Sequence, residues 1–155
     1  MRFLLVDRII ALEPGKSVEA EKTLPQTEEL FLDHFPGFPV VPGVLLTEML
    51  GQAAGKCLNV QRLPRGNAML AEIRNARFRQ WVRPGELIKL HATISQNKDT
   101  FAVAECHAIV AGVKVCSAQL MLCFKPIEDF APGYRDEVLE RFLSQQHDQT
   151  EPTQS

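Results

Sequence analysis

Residues 33–55 read DHFPGFPVVPGVLLTEMLGQAAG, and this stretch decides how the chain folds. Pro36, Pro39 and Pro42 each fix their own φ and push Phe35, Phe38 and Val41 toward extended backbone. Phe35 to Val41 is therefore expected to be a stiff, extended approach loop rather than helix. From Gly43 to about Leu58 no proline intervenes, and Val44, Leu45, Leu46, Met49, Leu50, Ala53, Ala54, Cys57 and Leu58 cover nearly the whole circumference of a helix. A helix apolar on every side is a buried one. Gly51, Ala53, Ala54 and Gly55 are small enough to let surrounding backbone come close.

Outward from this helix the chain reads as the sheet that wraps it. Phe3 to Leu12 is rich in Leu, Val and Ile and ends at the turn signal Glu13-Pro14-Gly15; Ser17 to Leu24 is its return strand, and Pro25 to Leu32 is a polar link. Beyond a polar loop at Gln61 to Gly66, strands are expected at Ala68 to Trp81, Glu86 to Ser95, Phe101 to Val110 and Val113 to Phe124. Val82-Arg83-Pro84-Gly85 and Asn97-Lys98-Asp99 separate them, and Ala111-Gly112 makes a two-residue hairpin loop. Pro126 and Pro132-Gly133 stop the sheet. Arg135 to Gln145, with Val138, Leu139 and Phe142 at helical spacing, is a short amphipathic helix, and His147 to Ser155 is a polar tail expected to be disordered. The organisation is one α+β domain over residues 1–125, an antiparallel meander around one buried helix, with a C-terminal extension over 126–155.

Bulk properties narrow the function only by exclusion. At 155 residues the chain is one domain, able to bury roughly two-thirds of its unfolded surface. A net charge of -2 gives no global signal for nucleic acid or membrane. Cys57, Cys106, Cys116 and Cys123 form no CxxC pair and have no clustered histidine, which argues against a zinc site or a disulfide framework; they read as small core residues in a reducing, cytoplasmic setting. The run Phe3 to Val6 is too short for a signal-peptide core, and no run approaches a membrane span.

The chemistry concentrates in the opening stretch. Glu48 sits in the second turn of a helix with no other reason to tolerate charge, where a buried carboxyl group takes up a proton and becomes a general acid. Gln52 lies four residues on, on the same face, placed to orient it. His34, mostly neutral at an ordinary pKa of about 6.5, is suited to accept a proton. Pro42-Gly43 starts the helix, so unpaired N–H groups and the positive dipole end stand beside both residues, a place for charge to develop on a thioester oxygen. Base, acid and oxyanion donor together imply elimination of water or its reverse. Taken singly each has an ordinary reading: a helix cap, a solvated glutamate, a plain helix start.

His34-Phe35-Pro36-Gly37, Pro39, Pro42-Gly43-Val44-Leu45, Glu48 and Gln52 together resemble the signature of the FabZ-type 3-hydroxyacyl-[acyl-carrier-protein] dehydratases, which have the hot-dog fold. Phe3-Leu4-Leu5-Val6-Asp7-Arg8 is similar to that family's opening strand, and Ala76-Arg77-Phe78-Arg79 with Val82, Pro84, Gly85 and Glu86 to its central strand and turn. The resemblance covers Phe3 to Phe124. It implies a homodimer whose sheets join edge to edge, often assembled as a trimer of dimers, with His34 of one subunit and Glu48 of the other facing a common tunnel. His34 would remove the C2 proton of a (3R)-hydroxyacyl thioester, Glu48 would protonate the departing hydroxyl, and the Gly43 N–H would polarise the carbonyl. Pro42 and Gln52 support them, and no metal or organic cofactor is implied. The related FabA dehydratase-isomerases carry aspartate where this chain has Glu48, which favours plain dehydration.

Three departures point to a specialised paralogue. The segment that usually precedes the first strand is not present, Asp33 replaces the usual glycine before the histidine, where it is placed to raise the histidine pKa or hold its ring, and residues 126–155 run past the family's usual end. Arg62, Arg65, Arg74, Arg77, Arg79 and Arg83, opposed there only by Glu72, form a cluster suited to an acidic carrier protein or a pantetheine phosphate, with Arg77 and Arg79 the chosen pair. Two other readings stay open: a hot-dog thioesterase in which Glu48 activates water, and a non-catalytic subunit that binds acyl carriers.

Overall fold

The computed structural model describes residues 1–61 and 65–150. Six strands, β1 (Arg8–Glu13), β2 (Ser17–Lys22), β3 (Asn67–Phe78), β4 (Ile88–Asn97), β5 (Phe101–Val110) and β6 (Val113–Lys125), form one sheet in the order β1-β2-β4-β5-β6-β3. Every pairing is antiparallel. The sheet curls around α2 (Gly43–Asn59), with α1 (Leu30–Asp33) before it and α3 (Glu137–Thr150) after the last strand. This is the hot-dog arrangement the motif implies. Among the described residues no helix is long and apolar enough to cross a membrane.

The core forms where alternation meets the helix. Val18 and Ala20 of β2, Leu90 and Ala92 of β4, Ala104, Cys106 and Ala108 of β5, and Leu120 and Leu122 of β6 are buried against Met49, Leu50, Ala53, Ala54 and Cys57 of α2. Successive strand residues face opposite sides, so their neighbours point away from the helix. Gly51 and Gly55 lie under Leu70 and Ala68 of β3, where the small side of the helix admits the strand. The β5–β6 connection is the tight hairpin expected of Ala111-Gly112, with φ +49° and +79°, the pair of positive values a type I′ loop requires.

Several boundaries differ from the sequence reading. The first strand begins at Arg8, because the backbone of Phe3 and Leu5 pairs with the Gln52 side chain instead of a strand: Leu5 N–H donates to Oε1 at 2.9 Å, and Nε2 donates to Phe3 C=O at 3.1 Å. The polar link contains α1, whose Phe31 is buried. The approach loop is extended only in part: Phe35-Pro36-Gly37-Phe38 closes in a turn with Phe38 N–H on Phe35 C=O at 2.9 Å and Gly37 at φ +76°, proline second and glycine third as in a type II turn. Helix α3 continues past Gln145 to Thr150, and Val138, Leu139 and Phe142 join the core. Residues 151–155, the end of the expected tail, lie outside the described residues, as does Arg62. Cys123 is exposed rather than part of the core, since it falls on the outward-facing side of β6.

Candidate active site

Helix α2 is buried over most of its surface but not all round. Val44 is exposed, and Leu45, Glu48 and Gln52 are half-buried. Glu48, Gln52 and Lys56 recur at every fourth position and form one polar stripe. Gln52 Nε2 donates to Glu48 Oε1 at 3.1 Å while the same amide ties down Phe3 and Leu5, so the carboxyl group is held from one side by a side chain that is itself fixed at both ends. The expectation of a deeply buried glutamate is thus corrected to a half-buried one in an oriented setting.

His34 caps the C-terminus of α1. Its backbone N–H donates to Leu30 C=O at 2.9 Å, its ring stacks on Phe35 with centroids 4.1 Å apart, and its Nδ1 stands 2.9 Å from the carbonyl oxygen of Val40. A carbonyl only accepts, so Nδ1 carries the proton and the lone pair of the neutral ring is left on Nε2. The turn at Pro36-Gly37 makes this bond possible by bringing Val40 back under the ring; Val40 N–H in turn donates to His34 C=O at 3.0 Å. Asp33, exposed at the end of α1, makes no hydrogen bond or ion pair with His34 among the described residues, so the ring is held by Val40 and Phe35 and not by that carboxylate.

Gly43 opens α2 after Pro42, whose carbonyl accepts the N–H groups of Leu45 and Leu46 at 3.0 and 3.2 Å. Among the described residues no acceptor stands on the Gly43 N–H, one of the donors every helix leaves over at its start. A Cβ on this residue would meet the Phe78 ring at 3.0 Å, so any larger residue requires that ring to give way. Phe78, Trp81, Phe38 and Phe35 are all large and exposed; the Phe78 ring lies over Gly43, and the Phe38 and Trp81 rings meet edge to face with centroids 6.5 Å apart. Arg83 lies over the Phe38 ring, 5.3 Å from its centroid.

Glu48 and Gln52 line a cavity of about 520 Å³ that also takes in Gly51, Gly55 and Lys56 of α2, Ala68 and Leu70 of β3, and Phe130 and Tyr134 beyond β6. His34 is not among its lining residues. Arg77 and Arg79 are not there either. Phe78 points inward over Gly43, and its two neighbours point to the opposite face of the sheet, where they line a separate hollow of about 410 Å³ with Glu105, His107 and Lys114. Arg79 Nη1 donates to Ser117 Oγ at 2.8 Å.

The sequence reading overlooked Lys56. It is 7% exposed and its Nζ donates to both oxygens of Asp136 at 2.8 and 2.7 Å, joining the central helix to the segment before α3. The signal was present in the spacing Glu48, Gln52, Lys56. Burial pushes the Cys106 thiol up to about 12 and the Cys116 thiol up to about 11, which keeps both protonated near neutrality.

A sequence model of the family described as ApeI-like, ApeI dehydratase, matches residues 11–117. The 3-hydroxyacyl-[acyl-carrier-protein] dehydratase FabZ of Pediococcus pentosaceus is 45% identical over 118 residues, 76% of this chain and 79% of that one. FabZ of Lactobacillus helveticus is 41% identical over 118 residues, 76% of this chain and 80% of that one. Among solved structures, the dehydratase heterocomplex ApeI:P from Xenorhabdus doucetiae superposes with a TM-score of 0.64 at 16% identity, covering 91% of this chain and 90% of that one, a likeness of fold. The motif built on His34, Gly43 and Glu48 therefore stands in a chain whose relatives are dehydratases along most of their length, and the protein belongs to the ApeI-like dehydratase family of the hot-dog fold.

Proposed function

We propose that this chain dehydrates (3R)-hydroxyacyl thioesters of acyl-carrier protein to trans-2-enoyl thioesters, in fatty-acid or related lipid or polyketide biosynthesis in the cytoplasm. The observation that carries this reading is the His34 ring: Nδ1–H on Val40 C=O leaves a lone pair on Nε2. Nε2 takes the C2 proton, the C2–H electrons become the C2–C3 double bond, and the C3–O bond breaks as Glu48 protonates the hydroxyl, which leaves as water. The Gly43 N–H holds the carbonyl oxygen on which charge gathers. Gln52 orients Glu48 and Pro42 fixes the helix start.

The site is proposed to be shared by two copies. His34 is not among the residues lining the Glu48 cavity, and β3 is an edge strand with Met69, Ile73 and Phe78 exposed along it. Pairing of two such edges would cover them and bring the His34 of one chain to the Glu48 of the other; a trimer of such dimers is the larger assembly proposed. Arg77 and Arg79, beside the strand end that covers Gly43, are assigned to the acidic carrier protein.

The test is complementation. His34→Ala and Glu48→Ala proteins, each inactive on a decenoyl-carrier hydration assay, are mixed, unfolded and refolded together. Recovery of about a quarter of wild-type activity is expected, because about half of the random dimers then hold one intact site of two. Wild-type protein no faster than Glu48→Ala defeats the dehydratase reading. Activity without recovery on mixing defeats only the shared site. Release of free thiol without hydration would instead select the thioesterase.

A further inference from the structure

The Glu48 cavity runs along α2 away from the helix start. Lys56 is eight positions beyond Glu48, about 12 Å further along the axis at 1.5 Å per residue. There the cavity meets Phe130, Tyr134 and Asp136 of the segment after β6. That segment is pinned. Asp136 receives Lys56 Nζ at 2.7 and 2.8 Å and also accepts the Leu139 N–H at 3.1 Å, and the Phe130 and Tyr134 rings lie 5.0 Å apart. Behind it lies a second cavity of about 110 Å³ that shares Asn59, Asn67, Tyr134, Arg135 and Asp136 with the first and adds the apolar Val60, Ile127, Leu139 and Leu143 together with Glu140. Tyr134, 53% exposed at its outer side, and Asp136 stand between the two cavities, and the far one is apolar along Val60, Ile127, Leu139 and Leu143.

We infer that Tyr134, backed by Phe130 and held in place by the Lys56–Asp136 pair, is the end wall that sets acyl-chain length, and that the enzyme takes short and medium chains. The inference rests on the dehydratase reading of Glu48 and adds its substrate class. An extended residue spans three bonds in about 3.5 Å, so an extended chain gains about 1.2 Å per bond and fills 12 Å with about ten bonds. A longer chain must press its methyl end against a phenol and a buried ion pair, which solvate it poorly and cannot be parted cheaply.

The experiment measures affinity for non-reactive octanoyl- and hexadecanoyl-pantetheine amides, and turnover of the matching 3-hydroxyacyl carrier thioesters, on the full chain. Wild type should prefer the shorter ligand by about tenfold or more, and Tyr134→Ala should cut that preference to within about threefold by opening the cavity into the Val60–Leu139 space. Phe130→Ala should move it less, in the same direction. Tyr134→Trp thickens the wall and should raise the preference, which guards against a variant that merely loosens the fold; melting curves and oligomeric state are recorded for each. Preference unchanged in both Tyr134 variants, or equal wild-type binding of the two ligands, overturns the inference. If no thioester is dehydrated while binding preference moves as described, the dehydratase reading falls and the wall stands. If dehydration is seen and its chain-length profile ignores Tyr134, the wall falls alone.

Discussion

At its first turn α2 is bare, and at its last it is sealed. Val44 is 74% exposed there, the Gly43 N–H has no acceptor among the described residues, and the exposed Phe78 ring lies over Gly43. At the other end Lys56 is buried with its Nζ donating to both carboxylate oxygens of Asp136, and the segment carrying Asp136 is anchored by the buried Val138, Leu139 and Phe142. Both ends hold polar groups. The difference is that the chain satisfies those at the end and leaves the Gly43 N–H at the start without an acceptor among the described residues.

The contrast breaks most sharply if chemistry is removed from the open end alone. Glu48→Gln keeps the length and the Gln52 contact but holds no transferable proton, and His34→Asn removes the Nε2 lone pair; each should lower dehydration by about 10²- to 10⁴-fold. Thermal melting should stay close to wild type, since both side chains are only half-buried. Rates are read from enoyl absorbance. A loss under about fivefold in Glu48→Gln would move the acid elsewhere.

The sealed end should answer in stability. Asp136→Ala strands the buried Lys56 ammonium and removes the acceptor of the Leu139 N–H, an expected loss of about 3–5 kcal/mol by urea unfolding. Lys56→Met should cost less, because a buried methionine packs where a stranded ammonium cannot, and Asp136 keeps its cap on α3. Equal costs for the two would mean that the pair matters only through its charge attraction.

These two ends were unequally legible in the sequence. The open end could be read because proline and glycine act locally: Pro36, Pro39 and Pro42 exclude helix, Pro42-Gly43 starts one, and His34 and Glu48 are conspicuous beside them. What escaped was the turn at Pro36-Gly37, which brings Val40 to His34, and the ordering of α1, a single turn held by burial of Phe31 and not by any periodic pattern. The sealed end depends on Lys56 meeting Asp136, residues 80 positions apart, and no local rule foretells that contact. The late start of the first strand has the same cause: Phe3 and Leu5 give their backbone bonds to Gln52, 49 and 47 positions away. The long strands β4, β5 and β6 were placed within a few residues because alternation and the Ala111-Gly112 hairpin are local signals.

A gentler way to sharpen the contrast is Gly43→Ala. Its Cβ would sit 3.0 Å from the Phe78 ring, and Phe78 is half-exposed and can swing outward, so the stability cost should stay near about 1 kcal/mol. Activity should fall further than that, because the ring then leaves the mouth it rims. Gly43→Ala combined with Phe78→Ala should restore stability without restoring rate; restoration of both would make the ring a packing feature only.

The smallest effect lies across the sheet from both ends. His91 and His107 face each other on β4 and β5 with rings 4.8 Å apart and 8° from parallel, and His91 Nδ1 is 3.7 Å from Glu19 Oε1. Burial, helped by His91 and Lys114, holds His107 below the ordinary 6.5. Below that pH the unfolded chain binds a proton there more readily than the folded one, so the residue leaves stability flat above it and subtracts from stability as pH falls through it. His107→Gln should therefore match wild type in urea midpoint at about pH 7.5 and exceed it slightly at about pH 5.5. A midpoint that drops as steeply in the variant would assign the acid sensitivity to other groups. Because the imidazole pair is separated from the helix by the sheet, the pH profile of dehydration should not move with it; a joint shift would mean that the outer face and the open end of α2 are coupled.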